Sequence, residues 1–230
     1  MDVSKCTAEE LLVVMWPYAL TMCKQEEMIL EIKKLAPTIM AQPVKIQYLY
    51  VVVIAEWFLV CSSPVSEQEE LSQVCGQILE TSRISAPSTD LSSLCFLHHA
   101  NFMMNNHDEA ERLRKKIHAD FYNGSHYGNA EHFNMLGNAM VILHGICTLD
   151  VMQAIITASW HCEFQNPVWV QCYMILATHE SGCHFEAREA FNRLPHDHST
   201  AGEAMRIILN KVLEDNKYDP LGLAMAQLKL

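Results

Sequence analysis

Chain breakers are scarce in this sequence. Its 230 residues include only eight glycines and eight prolines, where average usage would supply about 16 and about 12. A sandwich or barrel of many short strands needs frequent turn residues, so the shortage argues against a β protein. Positive charge is thin as well: 16 Lys+Arg stand against 27 Asp+Glu, a net charge of −11. Duplex binding runs on Lys and Arg neutralising phosphates. Only Arg112, Arg114, Lys115 and Lys116 cluster, so strong direct nucleic-acid binding is not expected.

Long apolar runs are missing too. The best candidate, Ile46 to Val60 (IQYLYVVVIAEWFLV), carries Glu56 and lies between Pro43 and Pro64. It falls short of the roughly 20 residues that span a bilayer, so it is expected as a buried helix, not a membrane segment. Its Val51–Ile54 core also suits a buried strand, but the rest of the chain offers no strand to pair with it. The opening MDVSKCTAEE lacks the apolar core of a signal peptide. The nine cysteines include no C-x-x-C pair. Most of them (Cys23, Cys61, Cys95, Cys147, Cys172) have apolar neighbours, which predicts reduced thiols packed as small hydrophobes in the cytosol or nucleus. Cys183-His184 and His98-His99 are the nearest approach to metal ligands, and neither has a second pair close by. No metal or cofactor is expected.

What is present is apolar content without disorder: half the residues are hydrophobic and 19% are charged, enough to bury a core at this length. Helix signals recur along the chain. Thr7 precedes Ala-Glu-Glu and a periodic run to Met22; a helix from about Gln25 to Leu35 meets Ala36-Pro37; Pro43 opens a helix to about Cys61. Ser66-Glu-Gln-Glu69 reads as a capping box. Further helices are predicted after Ser88-Thr-Asp to about Met104, from about 107 to Phe121, Tyr127 to Leu143, Thr148 to Cys162, Pro167 to His179, His184 to Leu194 and Ser199 to Asp215, with a short one at Asp219-Pro220. Starts alternate in two series, each stepping by roughly 35 to 45 residues, the period of two-helix solenoids. The predicted fold is all-α, a right-handed α-solenoid of about five to six degenerate tetratricopeptide-like helix pairs, formed as a single domain over residues 1–230.

Two stretches carry the turn chemistry of such pairs. In Gly182-Cys-His-Phe-Glu-Ala187, Gly182 permits the tight turn and Ala187 lets paired helices approach. In Asn105-Asn-His-Asp-Glu-Ala110, Asn takes the left-handed position. Nucleotide, metalloprotease and serine-hydrolase signatures are absent from the sequence. The twelve histidines fall mostly where helix ends or loops are predicted and read as solvated or capping residues. No catalytic residue is assigned, and an enzyme would require titratable groups converging in a pocket.

On these residues the chain resembles the carboxy-terminal part of the cohesin-loading factor family, the tetratricopeptide-superhelix subunit of the sister-chromatid cohesion loader. Asn105 to Leu113 (NNHDEAERL) resembles a family turn of the form G-x-x-N-E-A-x-x-hydrophobic, with Asn105 in place of Gly. Asn134 to Asn138 (NMLGN) resembles a Leu-Leu-Gly helix start. Met152 to Ala190 follows the family order of an Ala-rich helix, a loop with Pro167, a Val170-Gln171 helix and a closing turn over Gly182 to Ala187. The resemblance spans about residues 50–215. It implies a non-enzymatic scaffold of the nucleus, and also of the cytoplasm. That scaffold would wrap an extended segment of a large HEAT-repeat loader subunit of the Nipped-B type, help load cohesin, and meet chromatin only indirectly. The alternative is a tetratricopeptide-like adaptor or a subunit of another multiprotein assembly. In tetratricopeptide geometry the first helix of each pair lines the groove. Counting back from Ala110 and Ala187 places Cys95, His99 and Phe102 on one groove stripe and Trp169, Cys172 and His179 on the other, as the expected partner-binding residues.

Overall fold

The computed structural model describes residues 7–9, 11–13, 15, 26–60, 65–84, 90–129, 132–160, 166–195 and 199–214. The predicted last helix at Asp219-Pro220, and Cys23 and Cys61, lie outside these residues. Apart from a two-residue ribbon, the regular structure is helical. The chain divides into two compact units, Met1–Leu113 and Arg114–Leu230.

In the first unit α1 (Glu26–Leu35) passes at Ala36-Pro37 into a 3-10 turn over Ala36–Ala41, and α2 (Val44–Val60) follows. The apolar run of α2 has no polar side, and every side chain from Gln47 to Trp57 is buried. It packs against α3 (Val65–Ile84) and against α4 (Leu91–Met103). Helix α3 is different in kind: its buried residues Leu71, Cys75, Ile78, Leu79 and Ser82 form one stripe, so it covers the core from outside. Helix α4 is again enclosed, with Leu91 through Asn101 all buried. α5 (His107–Phe121) follows, and the boundary between units falls within it; Ala110 and Leu113 lie on its buried stripe.

In the second unit a ribbon pairs β1 (Gly128–Asn129) with β2 (His132–Phe133) in antiparallel register. Helices α6 (Met135–Leu143), α7 (Leu149–Ser159), α8 (Val168–Glu180), α9 (His184–Asn192) and α10 (Thr200–Glu214) follow. α6 packs against α7 and α8, and α8 also against α9 and α10. The alternation persists. In α6, Met135 through Ile142 are buried, and in α8 only Trp169 escapes full burial between Val168 and His179. α7 buries Met152, Ile155, Ile156 and Ser159, and α9 buries Ala187 alone.

Helices α4, α6 and α8 end in the same way. After α4, Asn106 N donates to Asn101 O and Asn105 N to Phe102 O, with Asn105 at φ 60°. After α6, Ile146 N donates to Val141 O and Gly145 N to Ile142 O, with Gly145 at φ 61°. After α8, Cys183 N donates to Thr178 O and Gly182 N to His179 O, with Gly182 at φ 83°. Each is a Schellman closure, which satisfies the last carbonyls through one left-handed residue. The closures recur about every 40 residues, in the range of two-helix repeats. Asn105 and Gly182 are the positions the sequence marked. Gly145 is the third, and the residue signal was there: a glycine directly after an apolar helix.

Three expectations need correction. The helix predicted from Tyr127 starts only at Met135, with Asn134 as its cap accepting from Gly137 N at 2.8 Å. Tyr127 cannot be helical because the Asn138 side chain takes its backbone N–H (2.9 Å) and its carbonyl (2.6 Å). Ser66 is inside α3, so it does not occupy the extended N-cap conformation that a capping box requires. Pro167 sits one position early: it is the N-cap of α8, at φ −50° and ψ 146°, and not its first residue.

Asp90 caps α4, its carboxylate accepting from Ser93 N (2.9 Å) and from the Ser92 and Ser93 hydroxyls (2.7 and 2.8 Å). Burial alone pushes this carboxyl up, but these bonds and the Lys45 charge outweigh it and hold the group below its usual range. A folded-state value below the unfolded one stabilises the protein above the unfolded pKa of about 3.9. That contribution disappears as the pH falls through the folded value. Asp90→Ala is expected to cost about 1 kcal/mol at neutral pH and to flatten the acid limb of stability measured by urea titration from pH 6 to pH 2.

Backbone and packing tests are separable. Gly182→Ala meets no neighbour within 4 Å, so its expected cost of about 1–2 kcal/mol comes from the left-handed φ alone. Gly76→Ala, in the interior of α3 and equally unobstructed, is expected to gain about 0.5–1 kcal/mol. Ala187 is fully buried, and Ala187→Leu is expected to lose about 1–3 kcal/mol by overpacking. Denaturant midpoints of the three variants check all three signs.

Candidate functional site

The six residues expected to line a groove divide by burial. Cys95, Cys172, His99 and His179 lie inside, at 0%, 0%, 5% and 3% exposure. Only Phe102 and Trp169 are half-buried and reach the surface. The reason is the enclosure of α4 and α8: a helix covered on all sides offers no continuous open stripe. As placed, the buried four are core residues, and direct contact with a partner is available only to the two aromatics.

The buried histidines have specific work. His99 Nε2 meets Glu56 Oε1 of α2 at 2.8 Å, both side chains nearly excluded from solvent. Glu56 is the residue that broke the apolar run in the sequence, and its partner sits 43 positions away, so the pair was not visible there. Phe102 stacks beside His99 and meets His107 edge-on at 5.5 Å. In the second unit, His179 Nδ1 meets Glu180 Oε1 at 3.1 Å, and its ring lies 4.5 Å from that of His184. His179 Nε2 is buried without a hydrogen-bond partner. The reading of histidines as solvated or capping therefore fails at His98, His99, His144 and His179, all of which are buried.

Thiol chemistry is not poised at the described cysteines with shifted pKa. Burial pushes the Cys75 thiol up to about 12 and the Cys147 thiol up to about 11; a thiol held protonated is a poor nucleophile. Cys75, Cys95 and Cys172 are buried as small hydrophobes. Among the described residues no group of three His, Cys, Asp or Glu side chains is arranged to hold a metal ion, and no helix is long and apolar enough to cross a membrane.

The second unit contains a small cleft of about 30 Å³, lined by Met135, Trp160, Gln171, Met174, Ile175 and Ala190, among others. That is room for one or two water-sized groups. The hydroxyls on its wall are committed: Ser159 donates to Ile156 O (2.7 Å) and Thr178 to Met174 O (2.8 Å). Gln171 donates through Nε2 to Asn166 O (2.7 Å), which leaves its buried Oε1 without a donor. The cleft is thus apolar with one acceptor, and Trp160 beside it is 38% exposed. Sequence reasoning missed this site, because no local pattern distinguishes Gln171 from the other residues of an enclosed helix.

Exposed apolar side chains also gather on the second unit. Leu149 and Phe185 are each 75% exposed, near the starts of α7 and α9. Gln153 of α7 lies 3.9 Å from Cys183, the N-cap of α9, so these helix starts are neighbours.

Compared with protein-family models, with curated proteins and with solved structures, the chain matches none.

Breaking the Glu56–His99 pair tests its structural weight. Glu56→Ala removes the carboxyl partner of a buried imidazole and is expected to cost about 2–3 kcal/mol. Glu56→Gln keeps a hydrogen bond and is expected to lose about 1 kcal/mol. Urea midpoints of the two variants report the difference.

Proposed function

We propose that this chain is a non-enzymatic helical-repeat scaffold that holds an extended segment of a protein partner. The observation that carries the proposal is the repetition of one turn geometry at Asn105, Gly145 and Gly182. Repeated pairs of this kind build extended binding surfaces. On this reading the pairs are tetratricopeptide-like and belong to a right-handed α-solenoid of about five to six pairs. Burial of Ala110 and Ala187, the small residues expected after two of the turns, supports the repeat type.

The specific proposal is a cohesin-loader subunit that binds the large Nipped-B-type HEAT-repeat partner, assists cohesin loading in the nucleus and meets chromatin through that partner. It rests on the resemblance at Asn105–Leu113, Asn134–Asn138 and Met152–Ala190. The helix boundaries in these stretches are compatible with it: the turn at Asn105, the cap at Asn134 and the turn at Gly182. A net charge of −11 favours a partner segment with basic stretches. In the second unit, apolar anchors of such a segment would meet Trp169 and the cleft beside Trp160, where Gln171 Oε1 accepts one donor; Phe102 offers a separate contact in the first unit. The alternative, a repeat subunit of another assembly, uses the same surfaces with a different partner.

Co-purification with mass spectrometry of the bound chains decides between the two. Recovery of the large loader subunit supports the specific proposal, and stoichiometric recovery of an unrelated assembly replaces it. Trp169 meets Tyr173 edge-on at 6.3 Å and is part-exposed. Trp169→Ala is therefore expected to weaken partner binding by about 2 kcal/mol with a small loss in melting temperature. A loss of stability of about 3–5 kcal/mol, as for a core aromatic, would remove Trp169 from the binding surface.

A further inference from the structure

The loop after α5 holds a cluster apart from the residues proposed above to meet a partner. Asn123 Oδ1 accepts from Ser125 N (3.1 Å), His126 N (3.1 Å) and Ser125 Oγ (3.1 Å). Asn123 Nδ2 lies 3.1 Å from His126 Nε2, and His126 Nδ1 lies 2.9 Å from Ser125 Oγ. Every polar atom of one side-chain amide is therefore engaged by the two residues just beyond its neighbour. That neighbour is Gly124, at φ 101° and with open space where a Cβ would stand.

The loop is also held in place. Tyr122 donates its hydroxyl to Gly124 O (3.1 Å), and Asn123 N donates to His126 O (3.1 Å). Tyr122 and Tyr127 bridge across its base, and His126 rests on Phe133 with ring centres 5.3 Å apart. Asn138 anchors Tyr127 from inside the unit.

Such an arrangement is suited to chemistry at the amide carbon. If the backbone nitrogen of Gly124 attacks Asn123 Cγ, the carbonyl oxygen becomes an oxyanion. The two backbone N–H groups and the Ser125 hydroxyl already point at that oxygen, and donors bind an oxyanion more strongly than a neutral carbonyl. The departing Nδ2 must gain a proton, and His126 Nε2 is within hydrogen-bond reach of it. Glycine at 124 leaves the nucleophile unobstructed.

We propose that Asn123 is a self-processing site at which the folded loop accelerates conversion of Asn123 to aspartate or isoaspartate. The Gly124 N–Cγ bond forms as the Gly124 amide proton passes to solvent. The Cγ–Nδ2 bond then breaks, and ammonia leaves with a proton that His126 Nε2 relays from solvent. Water next opens the five-membered imide at either carbonyl, yielding aspartate or its isomer with one added methylene in the main chain. No electrons are exchanged, and solvent water is the only co-reactant. The product carries one additional negative charge and, as the isomer, no longer fits the present set of three donors. The reaction thus acts as a clock on the loop between α5 and β1.

The test follows the full chain at one pH and temperature, folded and in urea, with peptide mass spectrometry for the amide-to-acid mass gain at Asn123 and isoaspartate detection. The folded chain is expected to convert about tenfold faster than the denatured chain. An equal or slower folded rate overturns the proposal, since the hydrogen bonds would then protect the amide. His126→Phe keeps the backbone N–H and an aromatic ring against Phe133, and it is expected to lower the folded rate about tenfold. Ser125→Ala removes only the hydroxyl and is expected to slow the folded chain without changing the denatured one. Folded rates unchanged in both variants overturn the assigned roles. Gly124→Ala is expected to slow conversion about tenfold in both states, and an unchanged rate overturns attack by the residue-124 nitrogen.

Discussion

Four helices in this chain have almost no solvent face, and the remaining organisation answers to that constraint. Helices α2, α4, α6 and α8 are apolar around most of their circumference, and each must be covered on several sides. Neighbouring enclosed helices cover one another in part, as α2 does α4 and α6 does α8. Helices α3 and α7 add single apolar stripes on α2 and α6, and α9 packs on α8 with Ala187 as its one buried residue. Two kinds of helix alternate because burial demands it, and the closures at Asn105, Gly145 and Gly182 reverse the chain after an enclosed helix.

Much of this was legible in the residues. The enclosed run at Ile46–Val60 announces a helix without a polar side, and Asp90, Asn105 and Gly182 mark their boundaries through capping and left-handed backbone preferences. The errors have physical causes. Around Tyr127 the local pattern favours a helix, but a side chain eleven residues onward, Asn138, captures the backbone. At Ser66 a capping-box pattern is overridden by a helix that begins one residue earlier. Both outcomes depend on context outside the window that periodicity reads.

The binding surface was less legible than the fold. Counting along a repeat gives a residue's direction relative to its helix axis, but not whether another helix occupies that direction. Cys95, Cys172, His99 and His179 are covered, whereas Trp169 and Phe102, of the same stripes, remain part-exposed. The cleft beside Trp160 depends on Met135, Gln171, Met174 and Ala190 from three helices. Its unpartnered acceptor is a property of their arrangement, not of any one segment.

The polar groups inside the enclosed helices fall into two kinds with different effects. Asn101 donates to Leu97 O and Thr178 to Met174 O, so these side chains are satisfied by their own helix, wherever it lies against its neighbours. Glu56 and His99 instead meet across two helices, α2 and α4, at 2.8 Å. Apolar surfaces of Leu, Val and Ile tolerate a slide of one turn, because one greasy ridge resembles the next. A slide of one turn, about 5.4 Å along the axis, would separate the carboxylate from the imidazole and break that buried hydrogen bond. The pair therefore acts as a detent: it favours one alignment of the two helices over the others.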